Sequence, residues 1–333
     1  MSQMTRQPRT RLATTGRGKW GDRSFWLICL VAGLGVLAIL ALILVTTTKE
    51  AWPALREAGI GFITHNKWIP NDPDGPSGPR TPEFGALAFV YGTLVVSAVA
   101  IFVAVPISIG IALFTTELAP RRMRGAITTV IDLLAAIPSV VFGLWAILVV
   151  APNITPLYKG VHDFVDAVPG LGSIFGVPVN SGQSFMTAGL ILAIMIVPIV
   201  TSLSREVFAT VPEAEKQAAL ALGATQWEMI KGAVFPHSFG GLVGAVMLGL
   251  GRAMGETIAV ALAIGGSTQV VANLFASGNA MPAVIVRNFG ESSGTYRSAL
   301  IGLGVVLFVI TVVVNLLARV IVRRAEVRFK GAA

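Results

Sequence analysis

Six long apolar segments limit what this chain can fold into more strongly than any other feature of its sequence. An α-helix needs about 20 residues to cross a bilayer, and the apolar segments occupy residues 24–48, 84–116, 133–158, 185–204, 237–265 and 298–318. Only 13% of the residues are charged, whereas an average soluble domain has about a quarter. This composition disfavours a soluble helical bundle. The sequence therefore predicts an all-α integral membrane protein with six transmembrane helices.

The distribution of lysine and arginine predicts how these helices are oriented. Most of the 25 basic residues lie before the first apolar segment and after the second, fourth and sixth. Because basic residues concentrate on the cytoplasmic side of membrane proteins, both termini are expected in the cytoplasm. The expected order is a cytoplasmic tail at 1–23, a transmembrane helix at 24–48, an external loop at 49–84, a core with five more helices at 85–325 and a cytoplasmic tail at 326–333.

The net charge of +8 is accounted for by this bias and by attraction to anionic membrane lipid, so no nucleic-acid partner is expected. In the external loop, the run NDPDGPSGPRTP at residues 71–82 is typical of turns. The whole loop shows no pattern of core-forming residues. We expect it to be solvated or to lie against an external partner.

A search of the sequence for known enzyme motifs does not predict a catalytic site. The pattern G-x-x-x-x-G-K-[ST] does not occur, so ATP is not expected to bind this chain. The run GESSG at residues 290–294 matches G-x-S-x-G, but no strand–turn–helix pattern surrounds it. Cys29 is the only cysteine, which excludes an intrachain disulfide and a thiolate metal cluster. We expect no catalytic residue, no metal and no cofactor.

The segment between the fourth and fifth apolar segments, residues 205–236, is predicted to form a hairpin of two short helices. TVPE at 210–213 and TQWE at 225–228 both have the capping-box pattern. Gly223 stands where a left-handed C-cap favours glycine, and Pro236 is expected to end the second helix. Such defined helix ends favour a docking element over an idle connector, although a well-capped linker is the alternative.

Two charged residues, Arg252 and Glu256, interrupt the fifth apolar segment. If its helix begins near Phe239, Arg252 lies about 20 Å along it, near the bilayer midplane, where charges are costly and normally face the bundle interior. Two hypotheses remain open. The side chains, four residues apart, can pair with each other and fix the helix. Alternatively, the planar guanidinium of Arg252 binds an anion, and Glu256 holds that guanidinium when no anion is present.

Two further features of the apolar segments bear on these hypotheses. A stripe of glycines beside the charges is predicted to let another helix approach closely; it comprises Gly240, Gly244, Gly251 and Gly255. Ser139, which follows a proline in the third segment, is a candidate for a hydroxyl contact to the anion. A proline-dependent helix kink is the alternative explanation of that Pro-Ser pair.

The run QAALALGATQWEMIKGAVFP at residues 217–236 resembles the EAA loop of ABC-importer permeases. That loop has E-A-A, three residues, Gly, nine residues and I-x-L-P. Matching positions are Ala218, Ala219, Gly223 and Pro236, whereas Gln217, Ala233 and Phe235 depart from the pattern. The runs LGLGRAMGETIAV and IPSVVFGLWA narrow the resemblance to phosphate permeases of the PstC type. It covers residues 84–324.

This resemblance implies a type I ABC importer permease fold in a prokaryotic cytoplasmic membrane, with a permease core at residues 85–325. A second permease subunit of the PstA type, a cytoplasmic PstB-type ATPase dimer that hydrolyses ATP and an external PstS-type phosphate-binding protein are the implied partners. Arg252 and Glu256 are implied to act in phosphate transport. The residues implied to couple to the ATPase are Gln217, Ala218, Ala219, Gly223 and Pro236.

Three alternatives to a PstC-type phosphate permease stay open at this point. The chain can be the sister permease of the PstA type, or a permease for another oxyanion. It can also be a secondary anion transporter or channel, which explains charges inside the membrane but does not explain the capped hairpin. Gln217 replaces the acidic residue of the EAA pattern, which puts the acidic contact at that position in doubt.

Overall fold

The computed structural model describes residues 16–70, 82–168 and 170–330, and these divide into two units between Lys49 and Glu50. Most of the basic N-terminal tail, the turn region at 71–81 and the last three residues lie outside the described residues. In chain order the elements are α1 (Gly16–Ala58), α2 (Gly61–Thr64), β1 (Trp68–Ile69), β2 (Glu83–Phe84), α3 (Leu87–Leu113), α4 (Arg121–Ala135), α5 (Ser139–Trp145), α6 (Ala151–Val165), α7 (Leu171–Ile174), α8 (Phe185–Ala209), α9 (Glu213–Ala221), α10 (Gln226–Met229), α11 (Phe235–Gly255), α12 (Ile258–Ala263), α13 (Met281–Asn288) and α14 (Gly294–Lys330).

Six helical stretches among the described residues are long and apolar enough to cross a membrane, which confirms the predicted all-α membrane protein. We number them spans 1 to 6; they are Gly21–Ala58, Leu87–Leu118, Ser139–Val165, Phe185–Ala209, Gln226–Gly255 and Gly294–Val320. Spans 2, 3 and 5 each contain one wide π-helical turn, at Phe114–Leu118, Ala146–Val150 and Ile230–Val234 respectively. In spans 3 and 5 the helix continues beyond the π-helical turn, whereas span 2 ends with it.

Spans 2 and 4 form the centre of the second unit, and span 5 packs against span 4. The helices approach each other closely at glycine residues, which have no side chain. A Cβ atom at Gly189 of span 4 would lie 2.5 Å from Val99 of span 2, and one at Gly249 of span 5 would lie 2.7 Å from Ile196 of span 4. Lipid is as apolar as these side chains, so close packing of small residues, rather than exclusion of water, holds such helices together.

The chain between spans 1 and 2 is more ordered than its sequence predicted. α1 continues to Ala58 instead of ending near residue 48, and the short strands β1 and β2 pair antiparallel. Phe62 and Phe84 are buried in a cluster with Trp68, Phe89 of span 2 and residues of span 6. The expectation of a loop without core residues is therefore wrong for the described part of this segment. Isolated aromatic residues showed no periodicity from which their burial could be predicted.

The chain between spans 5 and 6 turns back into the protein. α12 is largely buried, and the irregular segment after it caps the start of span 4. The backbone N–H groups of Phe185 and Met186 donate to the carbonyls of Ala276 and Leu274. Within a membrane, non-helical backbone is tolerated only where its polar groups form hydrogen bonds with protein or water. Span 5 ends at Gly255, directly before this returning segment.

Candidate functional site

The predicted hairpin is present, and its turn is built by glycine. Gly223 has φ +88°, and no other residue type adopts that backbone conformation as readily. The N–H groups of Gly223 and Ala224 donate to the carbonyls of Leu220 and Ala219. This pair of bonds is the Schellman arrangement that satisfies the last carbonyls of a helix. The C-cap predicted at Gly223 is thus confirmed.

The second arm of the hairpin begins with the predicted capping box. The Thr225 hydroxyl accepts a hydrogen bond from the Glu228 N–H at 3.3 Å, and the Thr225 N–H donates to the Glu228 carboxylate at 2.8 Å. The start of α10 is therefore fixed by its own side chains.

The predicted capping box at residues 210–213 is wrong. Thr210 has helical φ and ψ and ends α8, so its hydroxyl donates to the Val207 carbonyl behind it. An N-cap residue needs an extended backbone to reach the N–H groups ahead of it. Pro212 occupies the cap position of α9 and provides no side-chain hydrogen bond.

Pro236 does not end the second arm, contrary to expectation. α10, a π-helical turn and α11 form one continuous span 5 from Gln226 to Gly255, with Pro236 in the first turn of α11. A proline in a regular helix interior removes one hydrogen bond and clashes with the preceding turn. The wider π-helical turn just before Pro236 accommodates its ring, so the hairpin is rigidly continuous with the transmembrane helix.

The outer surface of the hairpin presents both motif residues and apolar side chains. Gln217, Ala218 and Gly223 are exposed, and Ala219 is half-buried against the protein. Leu222 and Trp227 beside the turn are 90% and 63% exposed. Such apolar side chains at the tip of a well-ordered element are typical of a protein-docking surface.

Removal of the cap at Thr225 should loosen the second arm. We expect Thr225→Ala to destabilise α10 by about 1 kcal/mol, the usual effect of losing an N-cap. Amide hydrogen exchange of the segment after residue 225 should accelerate in the purified subunit. Thr210→Ala is the matched control, since the Thr210 hydroxyl caps no helix N-terminus. Equal acceleration in the two variants would contradict the assignment of the cap.

Arg252 and Glu256 form no ion pair with each other, so the hypothesis of a pair that fixes the helix is wrong. α11 ends at Gly255, and Glu256 has an extended backbone with φ −69° and ψ 131°. The geometry of neighbours one helical turn apart therefore does not apply. Among the described residues, no ion pair joins Arg252 to an acidic side chain. The role suggested for Glu256, to hold the guanidinium of Arg252, has no support in this geometry.

Glu256 instead faces the interior of the protein. It is buried, and it lines a narrow cavity together with Thr93 and Ser97 of span 2. The Thr93 hydroxyl accepts a hydrogen bond from the Met281 N–H at the start of α13. The Ser97 hydroxyl is buried without a hydrogen-bond partner in the part of the chain that the structure describes. Glu256 thus belongs to a polar junction between span 2 and the returning segment.

Arg252 is exposed and faces a groove of about 1030 Å³ between spans 5 and 6, which we call the span 5–6 groove. Its described lining residues are Gly240, Val243, Gly244, Met247, Leu248, Gly251, Arg252, Val312, Asn315, Leu316 and Arg319. None of these is acidic, whereas two are arginines. From Gly240 to Arg252 the groove follows α11 for about 18 Å. It is therefore an elongated, mostly apolar surface with a net positive charge.

Asn315 and Arg319 are polar residues of this groove that the sequence reasoning missed. Arg319 comes directly after the sixth apolar segment predicted at 298–318, but it lies within span 6 and lines the groove with Asn315. The two residues are four positions apart in α14, and that spacing places both on one face of the helix. Asn315 lies inside the sixth apolar segment and Arg319 directly follows it, so their four-residue spacing was the available signal.

The glycines of span 5 lie on two different faces. A Cβ atom at Gly241 or Gly249 would meet span 4 at 2.6–2.7 Å, so these two glycines permit packing within the chain. A Cβ atom at Gly244, Gly251 or Gly255 would meet nothing within 4 Å. The predicted glycine stripe thus has no described neighbour in this chain at those three positions, two of which line the span 5–6 groove.

Ser139 occupies the first turn of α5, immediately after Pro138. It does not line the groove of Arg252. α4 ends at Ala135 and α5 begins at Ser139, so Pro138 separates two helices instead of kinking one. The structure therefore does not bring Ser139 together with Arg252.

Comparisons with known proteins identify the family. Residues 104–327 match the family described as binding-protein-dependent transport system inner membrane component. The phosphate transport system permease protein PstC of Mesorhizobium japonicum is 39% identical over 321 residues, which cover 96% of this chain and 95% of that protein. PstC of Haemophilus influenzae is also 39% identical, with coverages of 92% and 95%. PstC 1 of Mycobacterium tuberculosis is 38% identical, with coverages of 95% and 97%.

Solved structures share the fold at low sequence identity. A chain of a bacterial alginate ABC transporter aligns with a TM-score of 0.58 and 15% identity, covering 92% of this chain and 98% of that one. A chain of the inward-facing MetNI methionine ABC transporter aligns with a TM-score of 0.51 and 15% identity, covering 71% and 94%. The predicted importer-permease fold is confirmed, and the chain is a multi-pass inner-membrane protein. By family match and nearly full-length identity, it belongs to the inner membrane components of binding-protein-dependent transport systems, and among them to the PstC permeases.

Proposed function

We propose that this chain forms half of the translocation pathway of an ATP-driven phosphate importer. The observation that carries the proposal is the span 5–6 groove, in which Arg252, Asn315 and Arg319 lie on an apolar surface without an acidic lining residue. Charged residues inside a membrane protein are costly and mark ion or substrate pathways. A groove with two guanidinium groups favours an anion, and the relatives named PstC are phosphate permeases.

The chemistry of the groove suits a tetrahedral oxyanion. A guanidinium offers a planar fork of N–H donors that binds two phosphate oxygens at once, and it stays charged at any working pH. Asn315 adds a neutral amide donor to the same groove. Neither Arg252 nor Arg319 forms an ion pair with a described residue, so their donors are available to a substrate. Binding remains reversible because the donors are distributed along the groove instead of enclosing one point.

The proposal includes three partners. A second permease subunit covers the glycine face at Gly244 and Gly251 and closes the groove. An ATPase dimer docks on the hairpin through Gln217, Ala218, Ala219, Gly223 and Pro236, with Leu222 and Trp227 as apolar contacts. An external binding protein delivers phosphate at the opposite end of the spans. In this arrangement both termini lie in the cytoplasm and ATP is hydrolysed by the ATPase.

Uptake of labelled phosphate tests this function. Cells that lack the chain should regain ATP-dependent uptake when it is expressed together with its partners. Unlabelled phosphate should compete with the label, and sulfate at the same concentration should not. Equal competition by sulfate would indicate that the importer transports another oxyanion as well as phosphate. Transport by the purified chain alone, without ATP, would show a secondary transporter or channel and refute the proposal.

A further inference from the structure

A shielded ion pair connects the first arm of the hairpin to span 2. The Lys216 Nζ atom donates to the Glu117 Oε1 atom at 2.6 Å, and the two side chains are only 12% and 9% exposed. Lys216 lies in α9, one residue before the EAA-like motif, and Glu117 lies in the π-helical turn that ends span 2. The pair therefore joins the proposed ATPase-docking element to a helix at the centre of the fold.

Few other contacts fix this arm. α9 contains no fully buried residue, whereas the second arm inserts Met229 and Ile230 into an apolar cluster. A second polar contact, between the Glu215 carboxylate and the His237 ring at 3.4 Å, is substantially exposed on both sides. Exposed pairs contribute little because water and salt screen them. Because it is shorter and less exposed to water, the Lys216–Glu117 pair is the stronger of these two polar links from α9.

The surroundings hold the Glu117 side of the pair in place. The crevice around the pair is lined by Arg121, Arg124 and Arg205. The Arg124 Nε atom donates to the Ala119 carbonyl, and the Arg205 guanidinium donates to the Thr128 hydroxyl. These bonds tie span 2, α4 and span 4 together around Glu117. A force applied to Lys216 thus acts on a residue whose neighbouring elements are tied to one another.

We propose that the Lys216–Glu117 pair transmits movement of the hairpin to span 2 and so couples ATP hydrolysis to opening of the pathway. The inference rests on the proposed function. Both residues are positioning residues, since neither contacts the groove nor lies on the exposed outer surface of the hairpin. The spans themselves pack through apolar contacts that do not involve the pair. Loss of the pair should therefore uncouple transport without preventing docking.

The test uses the complete importer in proteoliposomes supplied with ATP, the binding protein and labelled phosphate. We expect Lys216→Gln and Glu117→Gln each to assemble with the ATPase at normal stoichiometry and to keep hydrolysing ATP. Phosphate imported per ATP should fall about fivefold or more, the lower range of energetic coupling between distant sites. Glu117→Asp retains the charge with a longer gap, so its coupling should be intermediate. Lys231→Gln, at an exposed lysine of the second arm, should behave as wild type.

The outcomes separate this inference from the proposed function. Wild-type importer that hydrolyses ATP without importing phosphate would refute the function itself. A coupled wild type with normal phosphate-to-ATP ratios in Lys216→Gln and Glu117→Gln would overturn only the role of the pair. Loss of ATPase assembly in both Gln variants would also overturn it, because the pair would then serve docking. Equal uncoupling by Lys231→Gln would do the same, because the effect would then not be specific.

Discussion

Arg252→Lys should lower phosphate uptake about ten- to hundredfold while insertion and ATPase assembly stay normal. Lysine keeps the positive charge, but its compact ammonium cannot present the planar fork that contacts two phosphate oxygens. One lost hydrogen bond to a charged group corresponds to about 1.5–3 kcal/mol, which gives this range. Labelled-phosphate uptake in cells, normalised to the amount of assembled importer, measures the effect.

The same change at an arginine outside the groove is the control. Arg297 is exposed and lies over the Phe289 ring, so Arg297→Lys should transport phosphate normally. Normal uptake by Arg252→Lys would show that only the charge matters and would contradict bidentate binding at this position. Arg252→Met, which removes the charge as well as the fork, should insert and assemble but import no phosphate. Robust uptake by that variant would refute the proposed role of Arg252.

Gly223→Val should abolish recovery of the ATPase with the subunit while leaving the subunit in the membrane. Gly223 has φ +88°, where an L-residue costs about 1–2 kcal/mol, and a β-branched side chain is especially poorly accommodated. No atom lies within 4 Å of a Cβ built there, so the strain comes from the backbone alone. The chain relieves it by changing the turn, which moves the motif residues away from their docking positions. A pull-down from solubilised membranes measures the ATPase recovered.

Gly232→Val is the matched control for this prediction. A Cβ atom at Gly232 also meets nothing within 4 Å, but Gly232 lies in the helical part of the second arm and does not have a positive φ. Its ATPase recovery should therefore stay close to that of wild type. Normal recovery with Gly223→Val would contradict the importance of the turn, and equal loss in both variants would point to general damage of the hairpin.

Local signals in the sequence predicted those features whose causes are local. Apolar segments of sufficient length predicted the six spans, and the Gly223 and Thr225 signals predicted the ends of the hairpin helices because backbone conformation and neighbouring side chains decide them. Thr210 had the same pattern as Thr225, but α8 extends through Ala209 and leaves Thr210 in a helical conformation. The capping-box pattern alone does not show how far the preceding helix extends.

The candidate site was predicted only in part because distant contacts shape it. Arg252 was recognised as a charge inside a span, but its partner residues Asn315 and Arg319 come from another helix. The hypothesis of a pair with Glu256 assumed that the helix continues, whereas α11 ends at Gly255. The roles of Arg252 and of the hairpin residues remain predictions for the transport and assembly measurements.

Because the glycines of span 5 lie on two faces, two different neighbours limit which substitutions this helix tolerates. At Gly241 and Gly249 the limit is the distance to span 4, so any larger residue would clash with another helix of the same chain. At Gly244 and Gly251 the single chain leaves room for a side chain. In the proposed importer, the limit there is set by the second permease subunit. The two subunits can then change together at these positions, each compensating the other, while the interior of each chain is preserved.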